Sequence, residues 1–241
     1  SLTAAGEAFL HKTRLALEIA DQAVLDAQRT ARGEQGRLHL GYVSSAMYDS
    51  KLPGLLRRLR ADWPGIELSL VQGDVQMLYE ALLDLRLDIA IIRAPLASPP
   101  DALVVRPFVR EKLCLALYQQ HPLAGVGALN LASLRTDNWI SLDDPQGTGL
   151  EQVFMDACRV AGFTPQVAQR INDVTSMISL VSAGVGVALV PLSARALRLD
   201  NVVYIDLQDR LAESELSMVY HRHIRSAVVR KVISLLNTAE R

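Results

Sequence analysis

The chain is poor in the residues that mark several large classes of protein. Two cysteines in 241 residues, Cys114 and Cys158, lie far apart and without metal-ligand spacing. That argues against a disulfide scaffold and fits two free thiols in a reducing cytoplasm. Basic charge is not in excess: 25 Lys and Arg stand against 26 Asp and Glu. The footprint of an autonomous nucleic-acid binder is therefore missing. The densest basic cluster, Arg57, Arg58 and Arg60, reads as the wet face of a helix. No basic segment followed by an apolar core opens the sequence, so no export signal is expected. Residues 174–194 lack charge but contain Thr175, Ser176, Ser179, Ser182, Gly184, Gly186 and Pro191. A buried helix followed by a buried strand explains that stretch better than a membrane span.

Motifs of catalysis are equally scarce. There is no G-x-S-x-G elbow and no P-loop. "GVGVAL" (184–189) follows a helix and opens a strand, the reverse of a dinucleotide fingerprint. His221 and His223 could share a strand face but have no third ligand nearby in sequence, and read as surface histidines. No metal site, cofactor or enzymatic activity is expected.

What is present is a repeated α/β pattern. Residues 4–32 contain no proline and one glycine, with Phe9, Ala16, Ala20, Ala23 and Ala27 three, four or seven apart. This predicts one amphipathic helix, about 40 Å long, stopped by "RGEQG" (32–36). Its apolar stripe needs a surface to cover it, either its own domain or a second subunit. Strands then follow at 38–43, 66–71 and 88–92, with helices at 52–63 and 77–85. The order returns as strands at 138–142, 165–171 and 185–191 with helices at 149–162 and 173–184. Strand one to strand three spans 49 residues in the first copy, Leu40 to Ile89, and 47 in the second, Ile140 to Val187. Two similar α/β lobes are expected, joined by crossings near 93–110 and 191–215. A strand within 110–124, another at 216–220 and a closing helix at 226–240 complete the reading.

In open parallel sheets, ligands sit beyond the carboxyl ends of strands, beside helix N-termini. In the first copy that place is Ser44-Ser45-Ala46; in the second it is "DDPQGTG" (143–149). Asp74-Val75 and Asp173-Val174-Thr175 begin two further helices. Hydroxyls and free backbone N–H groups there favour an anion, although the same residues serve as ordinary N-caps. Arg93, at the end of a strand, could hold a carboxylate bidentately, or could pair with Asp88 or Glu111 and stiffen the crossover.

With these segments in order, the chain resembles a LysR-type transcriptional regulator. The resemblance rests on "LTAAGEAFL" (2–10), "GYVSSA" with "LPGLLRRLRADWPGIEL", "LRLDIAIIRAP" (85–95), "HPLA" (121–124), "AGFTPQV" (161–167) and "LVSAGVGVALVP" (180–191). It implies a linker and dimerisation helix over residues 1–35 and two Rossmann-like lobes of periplasmic-binding-protein type II form. Lobe I would comprise 37–109 plus 212–241, and lobe II 110–211. It further implies a cytoplasmic homodimer or homotetramer, assembled through the linker helix and the effector domains, with no membrane partner. Operator DNA would be bound only through a winged helix-turn-helix lying upstream and absent here. A small organic acid, aromatic carboxylates among them, would bind between the lobes. By that likeness the ligand-binding residues are Ser44, Ser45, Ala46, Val75, Arg93, Pro145, Gly147, Thr148, Gly149, Asp173 and Thr175. Two departures stand out. Val75 replaces a common Ser or Thr, which favours a ligand with an apolar body, and Leu85 replaces a common Gly before "RLD". The rival reading is a periplasmic-type solute-binding protein for a small anion.

Overall fold

The computed structural model describes residues 3–96, 99–209 and 213–238. Its helices are α1 (Ala4–Ala31), α2 (Lys51–Asp62), α3 (Val75–Leu83), α4 (Gly149–Val160), α5 (Val174–Ser182) and α6 (Ala227–Thr238). Its strands are β1 (Gln35–Tyr42), β2 (Gly65–Gln72), β3 (Ile89–Arg93), β4 (Leu103–Tyr118), β5 (Ala128–Leu129), β6 (Asn138–Leu142), β7 (Gln166–Ile171), β8 (Ala188–Pro191), β9 (Val202–Leu207) and β10 (Glu213–His221). Leu2, residue 212 and the end of the expected closing helix, 239–240, lie outside the described residues.

The fold is of the two-lobed periplasmic-binding-protein type II class with a long leading helix. The strand order β2-β1-β3-β10-β4-β9-β5, with β8 also on β4, makes one mixed sheet, while β6 pairs with β7. Both repeats close as their spacing predicts. In the first, β1 and β3 run parallel with Leu40 opposite Ile89. In the second, Ile140 N–H donates to the Val187 carbonyl at 2.9 Å, and Val187 N–H donates to Asn138. All five residues of β3 are buried, as a strand covered on both faces requires.

The expected crossing near 93–110 holds more strand than the sequence suggested: β4 begins at Leu103 and runs unbroken over 16 residues. Its first part pairs with β10, from Leu103 opposite His221 to Lys112 opposite Glu213. Its second part pairs with β8 and β9, from Leu113 to Tyr118. One strand thus serves two sheet regions. Pro107 and Arg106 hide it in the sequence, since proline lacks the ladder donor. The structure accommodates Pro107 at a register shift between Leu216 and Ser217, where a bulge relaxes the pairing.

By their contacts the residues fall into two compact units. One holds the described residues of 1–38, 56–68 and 224–241, the other residues 39–55 and 69–223. In the first, α1 begins at the N-cap Thr3, whose hydroxyl accepts from Gly6 N–H at 3.1 Å. Leu10, Leu17 and Val24, seven apart on α1, are all exposed. In the same unit the Lys231 ammonium sits 4.7 Å from the centroid of the Trp63 ring. In the second unit one cluster gathers Trp139, Phe154, Met177, Ile178 and Leu115. Trp139 is fully buried, donates its indole N–H to Leu134 at 3.2 Å and packs 5.0 Å from Phe154. A second cluster joins Leu78, Leu82, Leu87, Ala90, Ile92 and Val219. Both thiols are buried and free; burial pushes Cys114 up to about 11 and Cys158 up to about 12. No helix among the described residues is long and apolar enough to cross a membrane, and no group of potential metal ligands occurs among them.

Candidate effector site

The strand ends and helix starts of both repeats meet at a cavity of about 200 Å³ within the larger compact unit. It is smaller than the roughly 300 Å³ at which drug-sized pockets begin, and has room for a small molecule only. Val43, Val75, Leu142, Leu150 and Val174 supply apolar wall. Ser44, Ser45, Gln72, Asp74, Arg93, Asp144, Asn172 and Asp173 supply the polar groups.

The polar floor is a buried network around Arg93. Its side chain is 3% exposed and that of its partner Glu111 is 9% exposed, with Nη2 and Oε1 3.1 Å apart. Nη1 donates to Ser214 Oγ at 2.7 Å. Nε and Nη2 both donate to Ser45 Oγ, at 3.2 and 3.1 Å. Glu111 accepts in turn from Ser193 N–H at 2.9 Å. Burial pulls the guanidinium below its ordinary value, and the adjacent Glu111 works against that. Of the two roles open to Arg93, the structure shows the pairing with Glu111. Asp88 is engaged elsewhere, accepting from His39 N–H at 2.8 Å.

This arrangement dictates what Ser45 can do. Its oxygen already accepts two N–H bonds, so its own proton must point away from the guanidinium. Donors assisted by a charged neighbour are the stronger kind. Ser45 itself lies at the start of a short 3-10 turn, Ser44–Met47, directly after β1.

Two helices also begin on the cavity. Asp74 caps α3, accepting from Met77 N–H at 2.8 Å. Asp173 caps α5, accepting from Ser176 N–H at 2.9 Å and from its hydroxyl at 2.7 Å. The earliest N–H groups of each first turn have no partner inside the helix, and helix N-termini favour negative charge. Asp144 lines the same cavity and accepts from Glu151 N–H at 3.2 Å. Burial pushes its carboxyl above the usual range; the Glu151 and Leu150 amides and Arg93 oppose that.

The expected residues divide by position. Ser44, Ser45, Val75, Arg93 and Asp173 line the cavity. Pro145 and Thr148 line a neighbouring hollow with Val75 and Tyr79. Ala46, inside the Ser44–Met47 turn, is fully buried and off the cavity wall. Thr175 is drawn away, its hydroxyl 2.7 Å from that of Tyr48. Gly147 lies off the cavity wall, in the loop before α4. Gly149 donates its N–H to the Pro95 carbonyl at 2.9 Å. Its φ is +63°, and a Cβ there would meet an Asp144 carboxylate oxygen at 2.3 Å. It is thus a support for Asp144 rather than a donor to a ligand. Sequence reasoning missed Gln72, Leu142, Leu150, Asn172 and, above all, Ser214, which is 121 residues from Arg93. Only Asp144 carried a usable signal, inside a loop already singled out.

Comparisons with known proteins place the chain in a family. The family model of the LysR substrate binding domain matches residues 31–241. The HTH-type transcriptional regulator BudR of Raoultella terrigena is 34% identical over 97% of this chain and 80% of its own length. The crystal structure of CbnR, a LysR family transcriptional regulator, superposes with a TM-score of 0.86 at 24% identity, covering 98% of this chain and 81% of that one. The BenM effector binding domain with its effector benzoate superposes at 0.71 and 22% identity, covering 84% of this chain and 91% of that one. By the family model and by this close a relative over nearly its whole length, the chain belongs to the LysR family of transcriptional regulators.

Proposed function

We propose that this chain is the effector-sensing and self-associating part of its regulator, and that the cavity holds a small carboxylate with an apolar body. One observation carries the reading: Ser45 lines the cavity and its hydroxyl oxygen accepts two guanidinium N–H bonds, which leaves its own proton to donate elsewhere. The first turns of α3 and α5 supply further donors, and five apolar side chains would enclose the ligand's body. That BenM takes benzoate as its effector supports a carboxylate. The lobe boundaries are proposed at 37–109 with 212–241, and at 110–211. On this reading the cavity joins the two lobes, and β4, shared by two sheet regions, is one strand of the hinge. The ligand would act by preferring one lobe arrangement; each 1.4 kcal/mol of preference is worth about tenfold in population. On α1, exposed Leu10, Leu17 and Val24 at heptad spacing would pair with a second copy. The link to operator DNA would run through a separate DNA-binding domain.

The test is thermal melting against a panel of small carboxylates, benzoate and acetate included, for wild type and Ser45→Ala. At least one acid should raise the wild-type melting temperature, and the shift should largely vanish in Ser45→Ala. No shift from any acid, or an equal shift in the variant, would overturn the assignment. The reading as a transport-type binding protein is not favoured, since the relatives are regulators.

A further inference from the structure

The charges around the cavity do not balance for an anion. Among the described residues Arg93 is the single cation on its wall, set against the carboxylates of Asp74, Asp144 and Asp173. Arg93 is moreover already neutralised by Glu111 on β4. Asp74 and Asp173 each spend their carboxylates as helix caps, where the positive helix end compensates them. Asp144 also accepts from a first-turn amide, Glu151 N–H of α4, but it stands half-buried on the cavity wall, where desolvation outweighs that bond. It is backed by Gly149, where a Cβ would meet its carboxylate. Glu151 on α4 adds a like charge, itself engaged by Arg170 of β7. A ligand carboxylate drawn to Ser45 would therefore enter a small, partly apolar space already holding an anion. Two carboxylates sharing one site do not both stay ionised.

We infer that binding of a carboxylate in this cavity is coupled to uptake of one proton by Asp144. The inference rests on the reading of the cavity as a carboxylate site and adds a condition to it: the regulator would register its acid together with a proton. The neutral carboxyl gains a donor that can face the bound anion, while its carbonyl oxygen keeps the Glu151 amide. That burial already pushes Asp144 upward means a smaller further shift is needed. The sign follows from linkage. The bound anion raises the Asp144 pKa above its free value. Affinity is then greatest below the free value, falls about tenfold per pH unit between the free and bound values, and is flat above the bound one.

The experiment is calorimetric titration of acetate and benzoate from about pH 5.5 to about pH 8, where simple carboxylic acids remain ionised. Two buffers of different ionisation enthalpy count the protons. Wild type should take up close to one proton per carboxylate where affinity falls with pH. Asp144→Asn should bind more tightly at neutral pH, with no proton uptake and a flat profile. Carbon-detected NMR of the Asp144 carboxyl in wild type reads the same event without a variant: its titration should move upward when the carboxylate binds. Binding without proton uptake, or an unmoved Asp144 titration, overturns the coupling and leaves the carboxylate site standing. No binding of either acid by wild type or variant at any pH overturns the coupling together with the acetate and benzoate reading of the site.

Discussion

Replacing Arg93 by methionine tests how the site floor is held together. Methionine keeps much of the stem's volume but removes the guanidinium. Lost are the ion pair to Glu111, two bonds to Ser45 and one to Ser214. With side chains 3% and 9% exposed, this pair is buried, and orphaning one member of such a pair costs about 3–5 kcal/mol. In a chain of this size each kcal/mol lowers the melting temperature by about 2–4 °C, so a fall of roughly 6–20 °C is expected. The assay is thermal melting followed by Trp139, fully buried in the larger unit, in a Trp63→Phe background so that one fluorophore reports. The double variant Arg93→Met/Glu111→Gln should recover part of the loss, about 1–3 kcal/mol, because no charge is left unpaired. A single variant melting within about 2 °C of wild type, or a double variant no better than the single one, would refute the reasoning.

Other consequences can be checked as directly. Leu85 is 71% exposed and sits at φ 57° just past α3, with Arg86 N–H on the Ala81 carbonyl and Leu85 N–H on Leu82. That is a Schellman turn, whose left-handed residue is usually glycine. Leu85→Gly should therefore stabilise the chain by up to about 1 kcal/mol, read as a higher urea midpoint; a lower midpoint would contradict the turn's strain. On α1, Leu17→Lys with Val24→Lys should abolish self-association in sedimentation while leaving the melting of the larger unit unchanged. Sedimentation unaltered by the pair would reassign the helix.

How far the sequence revealed this molecule depends on how local each feature is. The Leu40–Ile89 and Ile140–Val187 spacings anticipated real strand neighbours, because buried parallel strands and the helices between them carry strong local patterns. The helix starts at Val75 and Val174 were legible from their aspartate caps. Long-range pairing was not. β4 looked half its length because Pro107 and Arg106 break the apolar run, and its partner β10 is about a hundred residues away. The role of Arg93 stayed open in the sequence because choosing between Glu111, Asp88 and a ligand requires knowing which side chains share its burial. Ser214 gave no signal, since a serine on a strand looks alike whether it faces water or a guanidinium. Thr175 was placed on the site by its position at a helix start, yet Tyr48 claims its hydroxyl.

The most direct measurement is a crystal structure of the chain grown with the carboxylate that most raises its melting temperature. The account predicts density in the cavity with a carboxylate oxygen about 2.5–3.0 Å from Ser45 Oγ and the ligand's apolar part against Val75, Leu142 and Val174. A ligand bound elsewhere, such as the groove along Met155, Arg159 and Phe163, with Ser45 untouched, would contradict it.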